Sequence, residues 1–213
     1  PATTPTPTRT ASAAAVPAAA EVTVPSPVRS STRQYVLCGA LQVLIFLGYS
    51  YLMTVILERG FHWIWTGGTL YKDYQRAVEF GAVVFVVTCT LPILAKWVLI
   101  GRWTPQEIPV WSLAYVRFWL VKTLVSANPL VLFAGSPLYS LYLRALRATN
   151  GRGAVILTRH LPVCTDLLVV GEGTIIEKES FLSCYRAISG VIQTGPVTIG
   201  KDVFIGQKAV LDI

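Results

Sequence analysis

Two long apolar runs dominate the first half of the chain, one from Tyr35 to Leu57 and one from Val78 to Ile100. A helix of about 20 apolar residues, at roughly 1.5 Å per residue, crosses the hydrocarbon core of a bilayer. A buried helix of a large soluble core is the alternative, but such a helix is rarely this long without a polar face. The pattern therefore predicts a transmembrane helical hairpin over residues 35–101.

The details of the hairpin favour an anchor over an ion or substrate pathway. Pro92 is expected to kink the second helix, and Lys96 lies near enough to its end to extend towards the headgroups. Aromatic rings cluster between the runs, from Phe61 to Trp65, as is typical of the membrane interface. In this predicted belt, His62 is expected to be an interface residue.

Residues 102–149 combine helical apolar patterns with positive charge. Two helices are predicted within PVWSLAYVRFWLVKTLVSA and SPLYSLYLRALRA. Arg117 and Lys122 lie among tryptophans in the first stretch, which suits a helix lying in the interface beside anionic headgroups. A third membrane crossing is the alternative. Because the basic surface adjoins a hairpin, we expect it to contact the lipid bilayer and no nucleic acid.

The distribution of charge predicts the topology. From the end of the second run to residue 159, only one acid, Glu107, accompanies eight basic residues, which are Lys96, Arg102, Arg117, Lys122, Arg144, Arg147, Arg152 and Arg159. The positive-inside rule places this side in the cytoplasm. An even number of crossings puts the other end there too. We therefore expect a multi-pass protein of the cell membrane with both termini cytoplasmic.

A different period begins near residue 150. Aliphatic residues recur every six positions in two blocks, Val170, Ile176 and Leu182, then Ile199, Ile205 and Leu211. Glycine follows three of these six positions. Such hexapeptides are typical of a left-handed parallel β-helix, in which the aliphatic side chains fill the core. Residues 150–213 are predicted to form one, incomplete at its C-terminus, although the repeat around Asn150 is degenerate.

Residues 183–197 interrupt the period, and such excursions often carry binding groups. The fold class is thus an α + β membrane protein: a transmembrane hairpin, interfacial helices and the start of a β-helix. The Pro, Ala and Thr-rich residues 1–34 are predicted to be a disordered linker. The four cysteines lack metal-ligand spacing, so neither a metal nor a disulfide framework is expected. The chain begins without Met, so we expect a fragment of a longer protein.

The order of these parts, and four sequence stretches, resemble a known family. The stretches are LIGRWTPQEIPVW from Leu99, LVLFAGSPLYSLYLRALRA from Leu130, LPVCTDLLVVGEGTII from Leu161 and TGPVTIGKDVFIGQKAVLDI from Thr194. They resemble the membrane-embedded C-terminal region of non-ribosomal peptide synthetases related to ε-poly-lysine synthetase. The likeness extends roughly from Tyr35 onward.

The resemblance implies adenylation and carrier domains upstream and further β-helix and membrane repeats downstream. The substrate it implies is an aminoacyl group held on phosphopantetheine; no cofactor is expected within this segment itself. The implied role is amide-bond formation, which needs a base for the attacking amine. Candidate catalytic residues are His160 and Asp166, and Arg186 is a candidate substrate contact. We expect the segment alone to be inactive.

Two other functions stay open at this level. One is a free-standing, membrane-anchored hexapeptide-repeat acyltransferase. The other is a scaffold whose β-helix only packs and oligomerises.

Overall fold

A computed structural model describes residues 31–160 and 162–213. The predicted linker, residues 1–34, therefore falls almost entirely outside the described residues. The described chain is built of a long helical hairpin, a layer of shorter helices and a stack of short strands.

The hairpin consists of α1 (Thr32–Trp65) and α2 (Leu70–Leu99). Both helices are long and apolar enough to cross a membrane. The predicted aromatic connection proves to be shorter than expected, because Phe61 to Trp65 continue α1 as helix. No proline interrupts α1, and the turn is made where Gly68 adopts a φ of 77°.

The helical layer follows a short strand, β1 (Glu107–Pro109). It comprises α3 (Leu113–Ser126), a 3₁₀ segment (Pro129–Phe133) and α4 (Pro137–Ala145). Serine caps both α-helices: Ser112 accepts from the amide of Tyr115 and Ser136 from that of Tyr139. These two helices occupy the stretches in which the apolar pattern predicts them.

Ten short strands complete the described chain. Together with β1 they form four sheets: three parallel ones, of order β2-β4-β9, β10-β5-β3 and β11-β6, and an antiparallel one of order β1-β8-β7. Their bounds are β2 (Thr149–Asn150), β3 (Val155–Ile156), β4 (Leu168–Val170), β5 (Ile175–Ile176), β6 (Phe181–Leu182), β7 (Tyr185–Ile188), β8 (Val191–Thr194), β9 (Val197–Ile199), β10 (Phe204–Ile205) and β11 (Val210–Leu211).

The repeated aliphatic residues lie opposite one another in these parallel sheets. Val170 pairs with Ile199, Ile176 with Ile205, and Leu182 with Leu211. The first five of these side chains are buried, whereas Leu211 is half-buried. Successive passes of the chain therefore stack in register. The degenerate repeat belongs to the stack as well, since Asn150 pairs with Val170 in parallel.

Glycine permits the turns between strands to approach closely. A Cβ atom added to Gly171 would overlap the carbonyl oxygen of Gly200, and one added to Gly151 would overlap the backbone of Glu172. Any larger side chain at these two positions would push neighbouring passes of the chain apart.

The excursion at residues 183–197 is a β-hairpin rather than a loop. Strands β7 and β8 pair antiparallel, and β8 also pairs with β1, where Ile108 lies opposite Ile192. The excursion therefore attaches the segment that follows α2 to the strand stack.

The helical layer covers the start of the stack. The amide of Gly135 donates to the carbonyl of Ile156 at 2.8 Å. The hydroxyl of Tyr139 donates to the carbonyl of Thr158 at 2.7 Å. Both carbonyls belong to the first pass of the chain through the stack, which has no preceding pass to pair with. The helical layer therefore supplies the hydrogen-bond donors for these carbonyls.

Candidate functional site

Asp166 lies at the junction between α2 and the strand stack. Its carboxylate is 2.7 Å from the ammonium of Lys96, and the two side chains are 5% and 0% exposed. The same carboxylate oxygen, Oδ2, accepts a hydrogen bond from the backbone amide of Trp103 at 3.2 Å. Its other oxygen, Oδ1, is buried without a partner in the described structure.

Lys96 does not extend into headgroups as the sequence suggests. Its ammonium also donates to the carbonyl of Leu146 at 2.6 Å, at the C-terminus of α4. At this buried position the carboxylate of Asp166 and the carbonyl at the end of α4 compensate the positive charge. The next residue, Trp97, stacks with Arg147, whose guanidinium carbon is 4.6 Å from the indole centroid.

Arg186 lies on β7 in the excursion. Its Nε donates to Asp212 at 2.9 Å, and its Nη2 donates to the carbonyl of Ile213 at 2.9 Å. The guanidinium thus already binds Asp212 and Ile213, which follow β11 at the end of the third pass of the chain through the stack. Its predicted role as a substrate contact stays a prediction.

His160 is exposed, with its imidazole stacked on the ring of Phe181 at 4.2 Å and an interplanar angle of 19°. Its backbone amide donates to Thr158 Oγ1 at 3.1 Å. Among residues 31–160 and 162–213, no hydrogen bond to the imidazole is made, so this part of the chain leaves both ring nitrogens open to a ligand. The structure does not bring His160 and Asp166 together as a base and its orienting partner.

A cleft of about 810 Å³ opens beside His160. One wall is the end of α3 with the 3₁₀ segment, and the other comes from the strand stack. Its basic side chains are Lys122 and Arg159, and among the described residues no carboxylate lines it. A smaller hollow of about 360 Å³ shares Arg159 and His160 with it and adds Lys178 and Glu179.

Sequence reasoning missed most of this cleft. Lys122 donates to the hydroxyl of Tyr185 at 2.8 Å, although the two residues lie on different elements. Arg159 and His160 stand in a stretch with no repeat signature. The sequence indicates the cleft only in that Lys122 and Arg159 belong to the basic residues from which the membrane topology is predicted.

The cysteines in the strand stack are poor nucleophiles. Cys164 and Cys184 are fully buried. Burial raises the pKa of Cys184 to about 12 and raises the pKa of Cys164 as well. A thiol attacks as its thiolate, so an acyl-enzyme on either sulfur is disfavoured. The cleft can instead supply an imidazole and positive charge to a ligand brought from outside.

The sequence is similar to a peptide synthetase. It is 28% identical to delta-poly-L-ornithine synthetase of Acinetobacter baumannii (strain AB307-0294) over 183 residues, which cover 83% of this chain. The matched part spans 14% of the length of that protein. No protein-family model and no solved structure matches. The chain is thus similar in sequence to a poly-ornithine synthetase, which supports a family related to the one that the resemblance indicated.

Proposed function

We propose that the chain is a membrane-bound segment of a non-ribosomal peptide synthetase and contributes to amide-bond formation between carrier-activated amino acids. The similarity to delta-poly-L-ornithine synthetase over 183 residues carries this proposal. Upstream adenylation and carrier domains, and further β-helix and membrane repeats downstream, are its expected covalent partners. The substrate is an aminoacyl group bound as a thioester to phosphopantetheine.

The proposed architecture is a transmembrane hairpin followed by a left-handed parallel β-helix. Two apolar helices of 34 and 30 residues support the first part. The in-register parallel pairs of six-spaced aliphatic residues support the second. The excess of basic residues after α2 supports a cytoplasmic position for the strand stack and for both termini.

Amide formation from a thioester sets the chemistry of the site. The amine nitrogen attacks the carbonyl carbon, the new C–N bond forms, and the C–S bond breaks with the sulfur leaving as a thiol. The amine loses one proton, which a base takes up and returns to the sulfur. His160 is the proposed base, because its imidazole lies exposed in the cleft without a described hydrogen-bond partner.

The test is the substitution His160→Gln in the complete synthetase. Loss of a general base lowers the rate by about a hundredfold or more, so polymer detected by mass spectrometry should fall accordingly. Amino-acid-dependent ATP–pyrophosphate exchange reports adenylation alone and should stay unchanged. His62→Gln, the same change in α1, is the matched control and should retain product. Full product from His160→Gln would remove this residue from catalysis.

A scaffold is the second candidate function. It is favoured by Asp166 and Arg186, both of which are engaged in ion pairs that connect parts of the fold. A scaffold predicts that His160→Gln retains product, whereas Asp166→Asn loses product in step with its loss of stability.

A further inference from the structure

An unbroken uncharged stretch adjoins the hairpin. From Thr123 to Leu143 the chain carries no acidic or basic residue, and Lys122 and Arg144 flank it. Four large apolar side chains in it are exposed: Leu132 at 71%, Leu141 at 58%, Leu138 at 52% and Phe133 at 39%. A soluble surface rarely leaves so many large side chains open to water in one stretch. This surface suits the acyl region of a bilayer.

One hydrogen bond holds this stretch at the depth of the membrane helix. The buried amide of Asn128 donates to the carbonyl of Cys89, inside α2, at 3.0 Å. Trp97, a residue type typical of the interface, lies eight residues further along α2. At roughly 1.5 Å per residue, Cys89 is about 12 Å nearer the membrane centre. The 3₁₀ segment that Asn128 caps is therefore held on the lipid side of Trp97.

The large cleft has this lipid-facing stretch as one wall. Leu132 and Val131 line it together with Lys122 and Arg159. A cavity with two basic side chains, no carboxylate among its described lining residues and an apolar wall at membrane depth matches an amphiphile with one negative charge. Anionic phospholipids have this chemistry and are enriched in the cytoplasmic leaflet.

We propose that the cleft binds the phosphate headgroup of an anionic phospholipid through Lys122 and Arg159, with its acyl chains passing along Leu132. The bound lipid contributes to fixing the height of the strand stack over the membrane. The pantetheine phosphate of a carrier domain is also a phosphodiester, but it has no acyl chains to occupy the apolar wall. The lipid site needs membrane anchoring and does not depend on the synthetase role. His160, the proposed base, also lines the smaller hollow with Lys178 and Glu179, from which a substrate can approach it while the lipid occupies Lys122 and Leu132.

The experiment measures retention of phosphatidylglycerol by the full chain in a neutral detergent, by native mass spectrometry. Phosphatidylcholine serves as the neutral lipid. The wild-type chain should retain phosphatidylglycerol preferentially. Lys122→Gln and Arg159→Gln should each weaken its binding roughly fivefold, as expected for the loss of one basic side chain at an anionic surface.

Arg152→Gln is the matched control, because Arg152 is exposed and does not line the cleft. It should bind as the wild type does. Thermal unfolding midpoints verify that each variant is folded; Arg159→Gln carries the test if Lys122→Gln loses its fold together with the Tyr185 contact. Equal weakening by Arg152→Gln, or no preference for phosphatidylglycerol, would overturn the proposal. So would displacement of the lipid by coenzyme A at an equal concentration, which would assign the cleft to a pantetheine phosphate.

Discussion

Lys96 and Asp166 form a buried contact between the predicted membrane anchor and the rest of the chain. The ammonium bridges the carboxylate and the carbonyl that ends α4, while Thr165 donates its hydroxyl to that same carbonyl. Three parts of the fold, α2, the end of α4 and the turn that leads into β4, therefore meet at the Lys96 ammonium. A buried pair of this kind fixes a unique arrangement more than it adds net stability.

Removing one partner should be costly. Asp166→Asn leaves the Lys96 ammonium buried without its counter-charge, so we expect the free energy of unfolding to fall by about 3–5 kcal/mol. Thermal unfolding in detergent measures the change. Asp212→Asn is the matched control, since it removes a half-exposed ion pair with Arg186 and should cost at most about 1 kcal/mol. Equal losses in the two variants would show that the junction is not held by this pair.

The buried thiols predict an effect of alkaline pH. Because burial raises the pKa of Cys184 to about 12, the folded chain keeps this thiol protonated, whereas an unfolded cysteine titrates near about 8.5. The protonated thiol therefore makes its full contribution to the free energy of unfolding below about pH 8.5, and this contribution is lost as the pH rises towards 12. Cys164 and Cys184 should therefore resist iodoacetamide at pH 8 when folded and react rapidly when denatured. Mass spectrometry of peptides counts the alkylated sites, and rapid labelling of the folded chain would contradict the burial.

At the scale of elements, close approach of the turns should limit side-chain size. Gly171→Ala places a methyl group against the Gly200 carbonyl, so we expect a loss of about 1–3 kcal/mol. Gly206→Ala is the matched control, because a Cβ there meets open space. Chemical denaturation of both variants tests the difference. If Gly171→Ala left the free energy of unfolding unchanged, successive passes of the chain would not be stacked as tightly as the structure shows.

The stacked strands were predictable because their signal is local and repeated. One aliphatic residue in six points inwards, so the spacing of Val170, Ile176 and Leu182 already identifies which positions align. The antiparallel pairing of β1 with β8 has no such signal, since it joins residues far apart in sequence that share no period. The contact between Lys96 and Asp166 could not be predicted for the same reason. The apolar residues around Lys96 indicate a helix exposed to lipid, and Asp166 lies far away in the sequence, in another element.

At the scale of the whole molecule, the contacts join the hairpin to the body that follows it at several points. Besides the Lys96 pair, the Cys38 thiol donates to the carbonyl of Trp111 at 2.9 Å, and Asn128 binds α2 near Pro92. The hairpin and the body that follows should therefore move as one unit. In the proposed synthetase, this arrangement would keep the cleft at a fixed height beside the bilayer.

The same arrangement makes the topology testable with two single residues. Thr69 is exposed in the turn between α1 and α2, and Gln207 is exposed in the third pass of the stack. Since the four native cysteines are buried, a cysteine introduced at either position should dominate labelling by a membrane-impermeant maleimide. In intact cells, Thr69→Cys should be labelled from outside.

Gln207→Cys provides the opposite arm of this test. It should react only after the membrane is broken, because the excess of basic residues after α2 predicts a cytoplasmic position for the strand stack. The reverse result, labelling of Gln207→Cys in intact cells and of Thr69→Cys only after lysis, would invert the topology. Labelling of both positions in intact cells would mean that the hairpin does not span the membrane, and the anchor would then have to lie on one face of the bilayer.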